Sequence, residues 1–338
     1  MTSSNVRVLH HDNCFDGIAS AAVFSVFYRS TIDADASFEY QGLTHQAGSY
    51  RLEDALTGTV NVIVDFKYSS SERLTWWFDH HASAFLSPED EAHFRNDRSG
   101  RKFHDPTFRS CTKYIARIGE KVFNCDLKRL DDLIYWADII DGAQFEDAES
   151  AVELREPALK LMLVIESVRD PGLIRHIIRS VQSRTLAEVI EDPAVRPHFD
   201  RLYEKHLESI AILREAMASN DGVVEFDISE TPISGHNKFI PYHLFPESVY
   251  TVGVSLEASR AKVSVGTNPW SRVKPGHNLA RICERYGGGG HAVVAAISFR
   301  TDQLEEARRV AREIADALRS GPGDMSEPRT PESRSSRT

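Results

Sequence analysis

The chain has 338 residues, with 40 Lys and Arg against 50 Asp and Glu, and a formal net charge of -10. This length suits two domains, and the acidity argues against a protein that coats long duplex DNA or RNA, because neutralising a polyphosphate backbone needs many cationic side chains. The sequence has no signal-peptide pattern, no apolar run long enough to span a bilayer, and no zinc or disulfide spacing among its four cysteines. We therefore expect a cytoplasmic protein that does not bind membranes.

Three predicted strands in the first half end in acidic or imidazole side chains. Residues 6–9 form the first and are followed by a polar segment and a predicted helix over residues 18–27. The second, residues 60–64, is rich in Val and Ile, as is typical of parallel strands buried on both faces. The third, residues 74–78, is largely aromatic. The polar residues that follow the three strands are His10, His11, Asp12, Asn13, Cys14 and Asp16, then Asp65, then Asp79, His80 and His81.

The position of these polar residues predicts a metal site. Open α/β sheets bind their ligands at the carboxyl ends of parallel strands, and packing alone does not explain so many ionisable groups after buried strands. Carboxylate and imidazole ligands suit Mn, Mg, Zn or Co. Taken alone, the triplet at residues 79–81 is better explained as a helix N-cap Asp followed by two exposed imidazoles, and the other strand ends make the difference.

A later predicted helix, within residues 127–141, offers one further acidic ligand. Asp138 lies four and eight residues after Ile134 and Leu130, so it shares their inward face. An unpaired carboxylate is costly there, whereas a metal ligand is not. We therefore prefer Asp138, with Asp141 as the alternative. Either could instead be a surface acid near a helix end, and this interpretation suits Asp141 better because it directly precedes the helix breaker Gly142.

The second half contains a run of four glycines followed by His291. The run directly follows a predicted helix over residues 279–286 and precedes a predicted strand over residues 292–299. One glycine is a common helix C-cap, but four let the backbone approach a ligand closely and direct several N–H groups at an anion. Nearby, Trp270 and Arg272 suit base stacking and phosphate binding, or equally a packed aromatic ring and a solvated charge.

The DHH triplet together with the Gly-Gly-Gly-Gly-His segment resembles the DHH phosphoesterase superfamily, and specifically its DHHA1 branch, over nearly all of residues 5–318. The resemblance implies an α/β fold with a parallel-sheet DHH domain that holds the metals and a smaller α/β DHHA1 domain that binds substrate, joined by a helical connector. We place the DHH domain at residues 1–185, the connector at 186–221 and the DHHA1 domain at 222–318. Residues 319–338 are predicted to be a disordered tail from their composition.

The resemblance also implies roles for individual residues. His80 would ligate a metal, Asp65 would bridge two metals, Asp79 would orient the ring of His80, and His81 would face the phosphate, stabilising charge or passing a proton. The implied metal ligands are His10, Cys14, Asp16, Asp65, His80 and Asp138. The implied catalytic residues are Asp79 and His81, and the implied substrate-binding residues are Gly288, Gly289, Gly290, His291 and Arg272.

Cys14 departs from the family pattern, which has an acid at this position. A thiol is softer than a carboxylate and must deprotonate to bind a metal well. The first metal site therefore has several readings: Cys14 is a ligand, Asn13 or Asp12 replaces it, zinc is preferred to manganese, or the ion binds weakly. Cys14 as a half-buried thiol without a ligand role is an equally open reading.

The implied activity is hydrolysis of phosphoesters by a hydroxide held between two divalent ions about 3.5–4 Å apart. Mn²⁺ is the expected ion, with Mg²⁺, Co²⁺ and Zn²⁺ as alternatives. The expected substrates are short single-stranded RNA or DNA oligonucleotides or small nucleotides. The alternatives are 3'-phosphoadenosine 5'-phosphate, linear or cyclic dinucleotides, and a degenerate nucleotide-binding module with an impaired first metal site. A homodimer is the default oligomeric state.

Overall fold

The computed structural model describes residues 3–44, 52–231, 233 and 235–320. The described residues divide into two compact units, the first within Met1–Glu146 and Glu153–Glu204 and the second within Asp147–Val152 and Lys205–Thr338. Residues 186–204, which the sequence places in the connector, therefore group with the first unit. Most of the expected disordered tail lies outside the described residues, and its first residue, Arg319, belongs to the last helix.

The first unit contains a five-stranded sheet in which every pair of neighbours is parallel. This arrangement confirms the α/β fold with a parallel sheet. The spatial order is β2-β1-β3-β4-β5. The strands are β1 (Asn5–His11), β2 (Ser37–Leu43), β3 (Val60–Val64), β4 (Trp76–Asp79) and β5 (Lys102–His104).

Most of the chain between and after these strands is helical. The helices are α1 (Phe15–Thr31), α2 (Leu52–Ala55), α3 (Pro88–Asn96), α4 (Cys111–Phe123), α5 (Asp131–Asp141), α6 (Ala148–Glu153), α7 (Pro157–Ser167), α8 (Pro171–Ser180), α9 (Leu186–Ile190) and α10 (Arg196–Ala216). Helix α1 is buried from Phe15 to Tyr28, so it has no polar face. Its Phe24 and Phe27 rings lie 5.9 and 5.7 Å from the ring of Trp76, and such aromatic pairs contribute much of the core.

The turn from β1 into α1 is tight, and two residues make it so. Asn13 has a φ of 53°, a left-handed conformation that Asn tolerates better than most residues. A Cβ on Gly17 would lie 2.3 Å from the carbonyl oxygen of His11, so only glycine lets α1 start this close to the end of β1. The first turn of α1, including Asp16, is consequently held beside the strand ends.

The second unit contains a mixed six-stranded sheet in the order β10-β11-β9-β8-β7-β6. Only the β7–β8 pair is parallel. The strands are β6 (Met217–Asn220), β7 (Val223–Asp227), β8 (Tyr250–Leu256), β9 (Ala261–Thr267), β10 (Gly289–His291) and β11 (Val294–Phe299), and the helices are α11 (Ile240–Leu244), α12 (Leu279–Glu284) and α13 (Leu304–Arg319).

Two elements of this unit differ from the sequence prediction. The helical connector is predicted to extend to residue 221, but α10 ends at Ala216 and β6 follows, because Asp221 and Gly222 both adopt positive φ and close a hairpin with β7. The strand expected over 292–299 begins at Val294, after a turn. None of the helices in the described part of the chain is long and apolar enough to cross a bilayer.

Candidate metal centre

Asp65 lies at the centre of a cluster of acidic, imidazole and thiol groups at the carboxyl edge of the parallel sheet. It directly follows β3 with a φ of 55°, and its backbone N–H donates to the carbonyl of Phe78 at 3.0 Å. Both carboxylate oxygens are buried and make no well-aligned hydrogen bond within the described residues. His11 Nδ1 lies 3.4 Å from its Oδ2, and His80 Nε2 lies 3.4 Å from its Oδ1.

His80 faces three carboxylates at once. Its Nε2 lies 3.4 Å from Asp65, 3.3 Å from Asp141 and 3.8 Å from Asp16. The other ring nitrogen, Nδ1, lies 3.1 Å from the carbonyl oxygen of Phe108, to which it donates. This hydrogen bond fixes the ring and directs Nε2 into the cluster, as backbone carbonyls commonly do for metal-binding histidines.

His11, and not His10, is the histidine of β1 that enters the cluster. In the parallel register His10 pairs with Val64, so His11 is level with Asp65. Three ligand atoms, from His11, Cys14 and Asp65, lie within 4.8 Å of one another. His10 has the opposite orientation in the strand; it is 1% exposed, its Nδ1 contacts the backbone carbonyl of His11, and it belongs to none of the metal-compatible groups among the described residues.

Cys14 lies beside His11 and Asp65 and is half-buried. Burial and the neighbouring carboxylates of Asp65 and Asp16 raise its pKa well above the usual value for a thiol. Without a cation nearby the thiol is therefore protonated at neutral pH. The position keeps Cys14 available as a ligand, and a cation that binds there has to displace the thiol proton.

Asp16 is positioned by the N-terminus of α4. Its Oδ2 accepts a hydrogen bond from the backbone N–H of Cys111 at 2.6 Å, and its Oδ1 accepts one from Thr112 at 3.0 Å. Both N–H groups belong to the first turn of the helix, where backbone donors are otherwise unpaired and the helix dipole favours a negative charge. Burial and the carboxylates of Asp65 and Asp141 raise the pKa of Asp16.

Asp141 is the residue of α5 that belongs to the cluster, and Asp138 lies outside it. Ligand atoms of Asp16, His80 and Asp141 lie within 4.8 Å of one another. Asp138 is 7% exposed, as its helical spacing predicts, but its Oδ2 forms an ion pair with the ammonium of Lys113. The cationic partner that α4 supplies explains how Asp138 is buried without a metal.

Asp79 holds the two histidines that follow it. Its Oδ1 accepts hydrogen bonds from the backbone N–H groups of His80 at 2.8 Å and His81 at 3.3 Å, and from the ring Nδ1 of His81 at 2.7 Å. The hydrogen bond to Asp79 raises the pKa of His81, which is 41% exposed at its side chain. Asp79 therefore orients the ring of His81, whereas the ring of His80 is oriented by Phe108.

The donor set and its spacing fit divalent cations. Two atoms that each bind one ion at about 2.1 Å are about 3.0–3.4 Å apart at angles of about 90–110°. The separations of His80 Nε2 from Asp65 and Asp141, and of His11 Nδ1 from Asp65, lie at 3.3–3.4 Å. Asp65 has one oxygen toward each imidazole, an arrangement suited to bridging two ions.

The electrostatics of the cluster also favour the binding of divalent cations. Burial alone would raise the pKa of Asp65, but its contacts with His11 and His80 outweigh burial and lower it to about 2. Burial alone would lower the pKa of His80, but Asp65, Asp16 and Asp141 raise it to about 10. Burial and Asp65 raise the pKa of Asp141 to about 6. The imidazoles of His11 and His80 thus balance part of this concentrated negative charge, and cations would take over that role.

Much of the glycine segment, which was expected to approach a ligand with its backbone, forms a strand. Gly289 to His291 constitute β10, an edge strand paired with β11. A Cβ on Gly288 would lie 2.5 Å from the carbonyl oxygen of Ala296, and one on Gly290, whose φ is 146°, would lie 2.5 Å from that of Val294. These two glycines are required by close strand pairing, while Gly289 has open space above it.

Trp270 and Arg272 differ in their surroundings. The centre of the Trp270 ring lies 5.4 Å from that of Phe239 and 6.5 Å from that of Tyr242. Trp270 is therefore a packed aromatic side chain, which is one of the two roles that the sequence allows. Arg272 and His291 are both exposed. The structure thus leaves Arg272, Gly289 and His291 accessible, and their assignment to substrate binding stays a prediction.

No family model matches the sequence, and no curated protein matches it either. Among solved structures, PggH from Vibrio cholerae, a pGpG-specific phosphodiesterase, aligns with a TM-score of 0.71 at 16% identity over 94% of this chain and 99% of that one. A protein described by its DHH domain aligns with a TM-score of 0.56 at 15% identity, over 93% and 86% of the two chains.

RecJ from Thermus thermophilus, solved in complex with Mn²⁺, aligns with a TM-score of 0.54 at 11% identity over 93% of this chain. The alignment covers 52% of the RecJ chain, so this chain spans about half of that protein. The same protein has been solved with Mg²⁺. These similarities show that the chain has the two-domain fold of DHH-domain proteins, which confirms the fold expected from the sequence resemblance.

Proposed function

We propose that the chain is a divalent-metal-dependent phosphoesterase that hydrolyses short oligonucleotides or small nucleotides. The observation that carries the proposal is the buried Asp65 carboxylate, with imidazole nitrogens of His11 and His80 each 3.4 Å from one of its oxygens. Such a constellation suits a pair of cations and has no other evident stabilising role. The fold shared with a phosphodiesterase and with RecJ supports the same reaction class.

Two groups of residues would hold the ions. His11, Cys14 and Asp65 form the first group, and Asp65 also adjoins the second group of Asp16, His80 and Asp141. When bound, two divalent ions activate water and neutralise the charge that develops on a phosphoryl group. The protein contributes a fixed set of anionic and imidazole ligands, because Asp16 is held by α4 and His80 by Phe108.

His81 is the residue we assign to the reacting phosphate. Its hydrogen bond to Asp79 fixes the ring and raises its pKa, so more of His81 is imidazolium near neutral pH than of an unperturbed histidine. A protonated, partly exposed imidazole can stabilise negative charge or give a proton to the leaving oxygen. Asp79 touches His81 but no atom that would react, so it acts as a positioning residue.

We further propose Mn²⁺ as the preferred ion, with Zn²⁺ as its main competitor. RecJ, which shares the fold, has been solved with Mn²⁺ and with Mg²⁺. The ligand groups are mostly carboxylate and imidazole, which suit manganese, while the thiol of Cys14 favours a softer ion. Cys14→Asp should therefore strengthen activity with Mn²⁺ and Mg²⁺ relative to Zn²⁺.

A linear dinucleotide is the first substrate to test. PggH, named as pGpG-specific, aligns over nearly the full length of both chains. The net charge of -10 also favours a small substrate over a long nucleic acid. In this proposal Gly289, His291 and Arg272, which are accessible at their own positions, contact the terminal phosphate or nucleotide of the substrate.

The test is product release from linear dinucleotides, RNAs of a few nucleotides and 3'-phosphoadenosine 5'-phosphate, each with Mn²⁺, Mg²⁺, Zn²⁺ or Co²⁺. Metal-dependent release that is abolished by chelation supports the proposal. If no substrate is turned over with any of the four ions by the wild-type chain or by Cys14→Asp, the proposal is wrong.

A nucleotide-binding module without turnover is the second candidate, favoured by one observation. The pKa of Cys14 is raised well above its usual value, so the thiol binds a cation less readily than the acid of the family pattern. This candidate predicts that the wild type binds dinucleotides but does not cleave them. Cleavage would then appear in Cys14→Asp.

A further inference from the structure

A pocket in the first unit is lined by four arginines. Its volume is about 620 Å³, and the cationic residues that line it are Arg7, Arg169, Arg175 and Arg179. Val168 and Ile174, which are 9% and 4% exposed, give it apolar surface. Four guanidinium groups around one cavity are unusual in a chain with a net charge of -10.

Three acidic residues, Asp12, Glu39 and Asp170, also line the pocket, and among the described residues only Glu39 forms an ion pair with one of the arginines. Glu39 is engaged by Arg7, whose Nη1 lies 2.7 Å from it. Asp170 caps α8, accepting from the backbone N–H groups of Gly172 at 2.7 Å and Leu173 at 3.3 Å. Within the described residues, no ion pair is formed by Arg169, Arg175 or Arg179.

Arg175 and Arg179 lie one helical turn apart on the exposed face of α8. Like charges at this spacing repel each other and destabilise the helix, and an anion between them would reverse the effect. Arg7 gives a further indication, because its Nε is buried and lacks a hydrogen-bond partner within the described residues. Arginines bind phosphate oxygens through paired N–H donors, so a phosphate group is the anion that best suits this arginine-lined surface.

The volume identifies the size of the ligand. Pockets for small ligands measure about 300–1,000 Å³, so a single phosphate would leave most of this cavity empty. Several guanidinium groups match a ligand with more than one phosphate, and the apolar surface of Val168 and Ile174 suits a nucleoside. We propose that this pocket binds a nucleotide with at least two linked phosphates, at a site separate from the metal centre.

The pocket and the metal centre share the segment between β1 and α1. His10 and Asp12 line the pocket, whereas His11 and Cys14 belong to the metal centre. Arg169 also donates to the side-chain oxygen of Asn13, which lies between them. A nucleotide bound in the pocket would therefore contact the same loop that carries two metal ligands. The inference does not depend on the proposed catalytic activity.

The test is calorimetric titration of the full chain with ADP in the presence of EDTA, which keeps divalent ions out of the metal centre. Loss of two charge-assisted contacts should weaken binding in Arg175→Ala/Arg179→Ala by about tenfold or more. The control, Arg214→Ala/Arg312→Ala, removes the same charge from exposed helix positions outside the pocket and should leave affinity unchanged. Adenosine should bind at least about tenfold more weakly than ADP, since it lacks the phosphates.

Hydrogen exchange measured with and without ADP locates the site. Protection is expected within residues 166–180 and in the loop at residues 12–14 of the wild type, and it should be lost in Arg175→Ala/Arg179→Ala. Because both side chains are exposed, their removal should leave the unfolding temperature close to that of the wild type, which a thermal melt checks. Equal ADP affinity in this variant and the wild type would overturn the proposal, as would tight binding of adenosine or no ADP binding at millimolar concentration.

Discussion

The two sides of the segment between β1 and α1 have opposite electrostatic character. On one side His11 and Cys14 adjoin buried carboxylates, where cations are needed. On the other side His10 and Asp12 line a cavity walled by arginines, where anions are needed. Successive side chains in a strand point to opposite faces. Neighbouring residues of one short segment can therefore serve two sites of opposite charge, and the orientation of each residue decides which site it serves.

The sharpest test of the metal side is Asp65→Asn. Asp65 has a φ of 55°, and Asn tolerates this conformation, so the substitution removes the charge without straining the backbone. We expect hydrolysis of a dinucleotide with Mn²⁺ to fall by more than about 100-fold, because even residues that only support metal ligands contribute about 10–100-fold. The initial rate of product release measures the loss.

Asp221→Asn is the matched control for this variant. Asp221 also has a positive φ, 47°, but lies in the exposed hairpin turn between β6 and β7. Its substitution should leave both activity and the unfolding temperature unchanged, since Asn-Gly is a favoured hairpin turn. Retained activity in Asp65→Asn would contradict the assignment of Asp65 as the shared ligand.

The second prediction separates the two histidines of β1. His11→Gln removes an imidazole that lies 3.4 Å from Asp65, so Mn²⁺ affinity measured by titration of the metal-free chain should fall by about 10–100-fold. His10→Gln changes a buried residue on the other side of the strand and should alter Mn²⁺ affinity much less. A larger loss of affinity in His10→Gln than in His11→Gln would restore the assignment made from the sequence.

The sequence predicts the strands that carry the metal centre but not which of these histidines enters it. Strands β1, β3 and β4 are recognisable because they are apolar and end in polar residues. Strand β2 alternates in burial and β5 has only three residues, so neither gives a strong pattern. Both faces of β1 are covered, with Val8 in one core cluster and Leu9 in another, so hydrophobicity does not distinguish the face of His10 from that of His11.

The sequence favours Asp138 over Asp141 for a different reason. Helical spacing correctly predicts that Asp138 is buried, but burial does not identify a ligand. The decisive contact is with Lys113 on α4, a residue distant in sequence. Register between strands is a similar long-range property: the pairing of His10 with Val64 is what makes His11 level with Asp65. Neither contact is visible in local sequence patterns.

The third prediction concerns these two acids of α5. Asp141→Asn removes a carboxylate 3.3 Å from His80 Nε2 and should reduce Mn²⁺-dependent activity by about tenfold or more. Asp138→Asn instead breaks the ion pair with Lys113, so its effect should appear mainly as a lower unfolding temperature. Both quantities are measured on both variants. The prediction fails if Asp138→Asn has the wild-type unfolding temperature and loses more activity than Asp141→Asn.

The smallest expected effect concerns the contact of Arg169 with the segment between β1 and α1. Arg169 donates to the side chain of Asn13, whose left-handed backbone leads from His11 to Cys14. Arg169→Ala removes this contact without touching a metal ligand, so Mn²⁺ affinity should change by only about two- to fivefold, the range of a single exposed hydrogen bond. Gln at the same position is the matched control, because it can still donate to Asn13 without the charge. If Arg169→Gln keeps the wild-type Mn²⁺ affinity and Arg169→Ala does not, the hydrogen bond orders the loop. Equal losses in the two variants would contradict this role of the hydrogen bond, and a rise in Mn²⁺ affinity in both would show that the positive charge of Arg169 repels the ion.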